Sequence, residues 1–202
     1  MFMEGFLSEY GKRKTEIRTR LEEFKGVRGD DIFYEMCFCL LTPQSSGLRA
    51  DACVQELKAL DFFNNDVDPR PILKKKIRFH NNKSKYLLEM KKKYNLLKEK
   101  ITSAQDQHEL RDYLLDEVKG FGLKETHHFL RNIGYRNFAI LDRHILRNLN
   151  KLRVIKSLPK TLTKKNYFMI EKNFKQFSEN VGIPMDELDL LFWSIETGKV
   201  FK

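Results

Sequence analysis

Apolar residues recur at helical spacing along most of the chain. Ile32, Phe33, Met36, Cys37, Leu40 and Leu41 form one stripe, and Tyr86, Leu87, Met90, Tyr94, Leu97 and Ile101 form another. The first stripe predicts a helix that opens at Asp30, whose carboxylate suits an N-cap, and stops at Pro43. Ser45 or Ser46 restarts the chain into a helix carrying Leu48, Ala52, Leu57 and Leu60. Ser103 is placed to cap a helix reaching Leu114 and Val118. Further helices are expected at about 5–25, 70–78, 123–134, 142–150, 164–180 and 184–196. No segment alternates in the manner of a strand, and there is no internal repeat or low-complexity linker. The pattern therefore predicts an all-α chain of about ten short helices.

Charge sharpens this picture. The 202 residues hold 38 Lys+Arg against 28 Asp+Glu, a net charge of +10. The surplus is local: Arg70 to Lys100 contains 12 basic and 2 acidic residues, and the rest of the chain holds 26 of each sign. A basic face on a neutral body suits an anionic partner, because phosphate contacts release counterions. The same pattern also fits a solvated Lys-rich helix face. No apolar run approaches the length of a membrane span, and the N-terminal MFMEGFLSEYGKRK lacks a signal-like apolar core. A cytoplasmic, nucleoid-associated monomer is the expectation. Cys37, Cys39 and Cys53 are too few and too poorly spaced for a zinc site or an iron–sulfur cluster, so core packing is expected of them and no metal site is assigned.

Chemistry concentrates in VKGFGLKETHHFLRNIGYRNFAILDRHIL, residues 118–146. Gly120 and Gly122 permit a tight hairpin at positive φ between a helix ending near Val118 and another starting near Leu123. Such a helix-hairpin-helix brings backbone N–H groups and a helix N-terminus to a phosphate without reading a base. Lys124 sits in the first turn of the second helix, where the dipole disfavours a cation and so favours the neutral amine a nucleophile needs. Asp142 follows 18 residues later, after Phe138, Ala139, Ile140 and Leu141, where it can cap the next helix and present a carboxylate rigidly. His127 and His128 read as helix-face residues. Arg131, Arg143 and Arg147 suit either phosphates or nearby carboxylates.

The hairpin, the lysine after its second glycine and the aspartate 18 positions on resemble the helix-hairpin-helix DNA glycosylase superfamily. ETHHFLRNIGY, AILDRHILR and the ending ELDLLFWSIETGKVFK resemble its compact prokaryotic 8-oxoguanine DNA glycosylase/AP lyase branch. CFCLLTPQSS resembles the segment that reaches into the gap left by a flipped base. The resemblance runs from about residue 30 to Lys202. The cluster cysteines of the endonuclease III relatives are absent, as is the N-terminal β-domain of the larger oxoguanine enzymes.

The resemblance implies two helical subdomains flanking a cleft: residues 27–134, with the helix-hairpin-helix at 118–134, and residues 1–26 with 135–202. It implies a duplex DNA partner containing an oxidised base, no iron–sulfur cluster or other resident cofactor, and a hairpin whose carbonyls can hold a monovalent cation. Lys124 becomes the nucleophile at C1′ and Asp142 its partner carboxylate, with Gly120 and Gly122 at the phosphate backbone. Gln44 corresponds to the contact with the orphaned base, though as a bare sequence feature it is also an ordinary polar loop residue. 8-Oxoguanine carries a proton on N7 where guanine has an acceptor, so a fixed acceptor would select the lesion. The hairpin-side backbone, Asp189 and the C-terminal carboxylate of Lys202 are candidates. Trp193 and Phe79 are candidate stacking surfaces, or core residues. A glycosylase for another damaged base and a non-catalytic helix-hairpin-helix module are the alternatives.

Overall fold

The computed structural model describes residues 2–202, with side chains from Gly5 onward. In chain order the helices are α1 (Phe2–Lys25), α2 (Asp30–Leu41), α3 (Gly47–Ala59), α4 (Arg70–Lys74), α5 (His80–Ser103), α6 (Gln107–Glu117), α7 (Leu123–Asn132), α8 (Arg143–Lys151), α9 (Lys164–Val181) and α10 (Met185–Thr197). Among the described residues there is no strand, as the periodicity predicts.

The chain divides into two compact units. One is Val27–Phe129; the other is the segment up to Gly26 together with Leu130–Lys202. The division falls inside α7, a few residues before the end of the hairpin helix at which the resemblance placed it. Each unit is organised around one helix buried on nearly every side. In the first unit that helix is α2, where every residue from Ile32 to Leu41 is buried. The expected single stripe is too narrow a description. Helices α3 and α5 cover two sides of α2, and Phe38 meets the His128 ring edge-on at 5.6 Å. Phe33 anchors an aromatic cluster with Tyr34, Phe62, Phe63 and Tyr94, its centroid distances running from 4.9 to 5.9 Å. Offset and edge-on ring pairs of this kind add to simple area burial.

In the second unit the central helix is α10, packed by α1, α8 and α9. Phe192 stacks on Phe174 and meets Phe6 at 5.6 Å. Tyr10 donates to the buried Glu187, which Arg18 also approaches. These contacts tie the first helix to the C-terminal one, as the resemblance implies for the chain's two ends.

Local corrections follow from caps. Gly29, at φ 57°, takes the N-cap position of α2, so Asp30 is the first helical residue and offers its charge to the helix dipole instead. Ser46 takes the N-cap position of α3 without a side-chain bond. Ser103 ends α5; the cap of α6 is Asp106, whose Oδ1 accepts from the N–H groups of His108 and Glu109 at 2.6 and 3.0 Å. Helix α4 ends at Lys74 rather than 78. Phe79 then adopts φ 58°, which no continuing helix allows.

Candidate active site

The hairpin is built as a turn and then a cap. Phe121 N–H donates to Val118 O at 3.0 Å. Gly120 sits at φ 98°, and a Cβ there would come within 2.5 Å of the Tyr86 ring, so glycine is required twice over. Gly122 does not take positive φ, contrary to expectation. It opens α7 instead: its carbonyl accepts from Thr126 N and Thr126 Oγ, both at 2.9 Å, and its N–H donates to Glu125 Oε2 at 3.2 Å. The Gly122 N–H expected to meet a phosphate is thus already engaged by Glu125.

Lys124 stands in the first turn of α7, with its side chain about one-quarter exposed and Nζ 2.9 Å from Glu125 Oε1. One carboxylate therefore touches both the hairpin backbone and the candidate nucleophile. Glu125 was not singled out from sequence, although a glutamate three residues after the capping position is the capping-box spacing. Behind Lys124, His127 and His128 are buried, as packing residues rather than ligands.

In the other unit, Asp142 is the N-cap of α8. Its Oδ1 accepts from His144 N at 2.7 Å and Ile145 N at 2.8 Å, and Oδ2 takes no part in the cap. The carboxylate is half-buried and rigidly held. Nearby, Arg131 is buried with Nη1 3.2 Å from Asp189 Oδ2 and its guanidinium over the Phe24 ring. Arg131 is therefore a core partner and not a phosphate ligand, whereas Arg143 and Arg147 are exposed on one face of α8. Asp189 is only 6% exposed and committed to Arg131, which removes it as a base-facing acceptor. Burial pushes its pKa up, to about 7, with Arg131 opposing and the charges of Asp142 and Asp186 assisting.

Trp193 is partly exposed and faces Phe201 at 6.0 Å with a 32° tilt. Phe201 O accepts from Arg20 Nε at 2.7 Å, so α1 pins Phe201 beside Trp193. Arg20 is a second residue missed from sequence, since nothing local links positions 20 and 201. In the first unit Phe79 is 52% exposed, which excludes the core alternative for it. Gln44 is exposed at φ 53°. The basic stretch is not one uniform face. Lys76 and Lys93 pair with Glu56 and Glu117, and Lys91 donates to Asn65 O. Lys83 is buried, leaving Lys74, Lys75, Arg78 and Lys85 exposed around the start of α5.

Comparison with known proteins gives this geometry a context. The family model described as 8-oxoguanine DNA glycosylase matches residues 17–183. The chain belongs to that family. It is 43% identical to the 8-oxoguanine DNA glycosylase/AP lyase of Fusobacterium nucleatum, over 96% of this chain and 94% of the relative. It is 37% identical to that of Korarchaeum cryptofilum, over 95% and 93%. The Methanocaldococcus jannaschii 8-oxoguanine glycosylase/lyase, solved with a 15mer DNA containing 8-oxoguanine, superimposes with a TM-score of 0.90 at 32% identity, covering both chains completely. The Thermotoga maritima 8-oxoguanine DNA glycosylase gives 0.89 at 28% identity, covering 100% and 98%.

In this 8-oxoguanine DNA glycosylase family member, Cys37, Cys39 and Cys53 are buried and form no disulfide with one another, and burial drives the Cys37 thiol well up. Among the described residues, no group of three or more His, Cys, Asp or Glu could hold a metal ion. None of the described helices is long and apolar enough to cross a membrane.

Proposed function

We propose that the protein excises 8-oxoguanine from duplex DNA and then nicks the strand at the abasic site, with Lys124 as nucleophile and Asp142 as its carboxylate partner. The observation that carries the reading is Lys124 in the first turn of α7, directly behind the hairpin, in a chain that matches glycosylase/AP lyases along nearly its whole length. The base must leave the stack before C1′ is reachable. The Lys124 amine then attacks C1′, the C1′–N9 bond breaks, and the departing base takes up a proton. The C1′–O4′ bond then breaks, Nζ losing a proton and O4′ gaining one, and the ring-opened Schiff base acidifies C2′; loss of that proton expels the 3′ phosphate by β-elimination.

Asp142 faces the positive charge that builds on the sugar, as carboxylates do in glycosidases. Its Oδ1 is held by two N–H groups, so the charge is placed before the reaction begins. Gly120, by allowing the tight turn, supports phosphate contact at the hairpin. Lys202 and the Trp193 face are assigned to the flipped base, supported by Phe201 packing on Trp193, with the exposed Phe79 ring as a second stacking surface. Neither step needs a redox cofactor, and a monovalent cation on the hairpin carbonyls would add only to the phosphate grip. The protein is expected to act as a monomer.

The test is borohydride trapping on duplexes carrying 8-oxoguanine, thymine glycol or a preformed abasic site. Wild type should form a covalent adduct with the 8-oxoguanine duplex, and Lys124→Gln should form none. Equal trapping by Lys124→Gln removes it as nucleophile. A preference for thymine glycol reassigns the substrate, and binding without nicking any duplex leaves a non-catalytic module.

A further inference from the structure

Among the described residues Lys83 is the one buried lysine, 4% exposed, and the reaction above does not use it. A buried ammonium is costly unless every proton finds an acceptor. Here all three do: Nζ donates to Leu41 O at 2.7 Å, Pro43 O at 2.6 Å and Ser45 Oγ at 2.9 Å. These acceptors flank a single residue, Gln44, which is exposed and held at φ 53°. A non-glycine residue persists in that conformation only when its surroundings over-determine it. The turn's own contribution is one bond, Ser45 N to Thr42 O at 3.0 Å.

Lys83 also belongs to the first turn of α5, where its backbone N–H donates to Phe79 O at 3.0 Å. Phe79 is, like Gln44, an exposed residue of this unit at positive φ, 58°. A single residue thus joins the turn that projects Gln44 to the turn that projects Phe79. Lys124 and Glu125 on α7 and Cys53 on α3 are the ionisable groups that act on its charge.

We propose that Lys83 is a positioning residue for recognition of the base opposite the lesion: its ammonium holds the 41–45 turn in the conformation that presents Gln44, in register with Phe79. The proposal rests on reading Gln44 as the contact to the orphaned base. A purely structural lysine would support folding equally for every substrate; a positioning lysine changes discrimination among opposite bases.

The experiment measures single-turnover excision of 8-oxoguanine opposite each of the four bases, together with nicking of a preformed abasic site in single-stranded DNA, which has no opposite base. Gln44→Ala should narrow the range of excision rates across the four duplexes by about tenfold, the scale of one hydrogen bond. Lys83→Met should narrow it as much, the double variant should narrow it no further, and single-strand nicking should stay within about twofold of wild type. Lys83→Arg keeps the charge, but its planar fork cannot meet three oxygens around one point, so it should not restore the range. Ser45→Ala removes one contact of the three and should shift the range part-way, which keeps the proposal testable where Lys83→Met folds poorly. If Gln44→Ala narrows the range and neither Lys83→Met nor Ser45→Ala does, the clamp is wrong and the Gln44 reading stands. If Gln44→Ala leaves the range intact, that reading fails and the clamp fails with it. Equal loss of single-strand nicking in Lys83→Met also overturns the proposal, because the lysine would then be acting on the reaction centre or on folding.

Discussion

At the scale of the residue, the site depends on side chains that do two jobs at once. Asp142 is both a helix cap and a placed negative charge, and the two can be separated. Asparagine caps a helix nearly as well as aspartate, since its carbonyl oxygen accepts the same two N–H bonds. Asp142→Asn should therefore keep α8 and DNA affinity while slowing base excision by about a hundredfold or more, the loss typical of removing one preorganised charge-stabilising group. Single-turnover excision beside a duplex-binding titration checks this; a parallel loss of affinity would make Asp142 a docking or folding residue. Glu125 has a similar double engagement, with the Gly122 N–H and with Lys124.

At the scale of the element, the hairpin is stiff because its geometry is overdetermined. Gly120 combines φ 98° with the Tyr86 ring packed where a Cβ would stand. Gly120→Ala should cost about 1–3 kcal/mol, from positive-φ strain and the displaced ring together, measurable by urea unfolding. Duplex binding should weaken with it, because α7 and its N-terminus would shift. Unchanged stability would mean that the turn can rearrange. Gly122→Ala meets only a flexible carboxylate at 3.1 Å and should be the milder variant.

At the scale of the whole molecule, the buried Arg131–Asp189 pair makes folding stability depend on pH. Burial raises the Asp189 pKa to about 7, against an unfolded value near 3.9. Between those values the folded chain holds a proton that the unfolded chain has lost, so this contribution to stability falls as pH rises across the window and levels off above about 7. In thermal unfolding, Asp189→Asn should flatten that part of the Tm–pH curve. Above about pH 7, where Asp189 is charged, it should also lower Tm, because there Arg131 loses its charged partner in the core. A wild-type slope retained in the variant would assign the dependence to other groups, with Asp186 the first to test.

Periodicity alone determined the all-α class and nearly every helix, because a buried stripe at 3.6-residue spacing is a local property. The tight turn at Gly120, the first-turn position of Lys124 and the capping position of Asp142 were legible for the same reason: a tight turn and a helix N-terminus are read over a few neighbouring residues. Assignment to an 8-oxoguanine DNA glycosylase family came through the likeness of whole segments, not from any single residue's chemistry. Tertiary structure decided what depends on partners far apart in the chain. It buried Asp189 against Arg131, docked Phe201 onto Arg20, and showed Phe79 to be exposed rather than core. It also turned Lys83, one cation in a basic stretch by sequence, into a buried three-point clamp on a turn about forty residues away. Whether a charge meets water or another residue is set by packing, and packing is not written in the spacing of the residues that carry the charge.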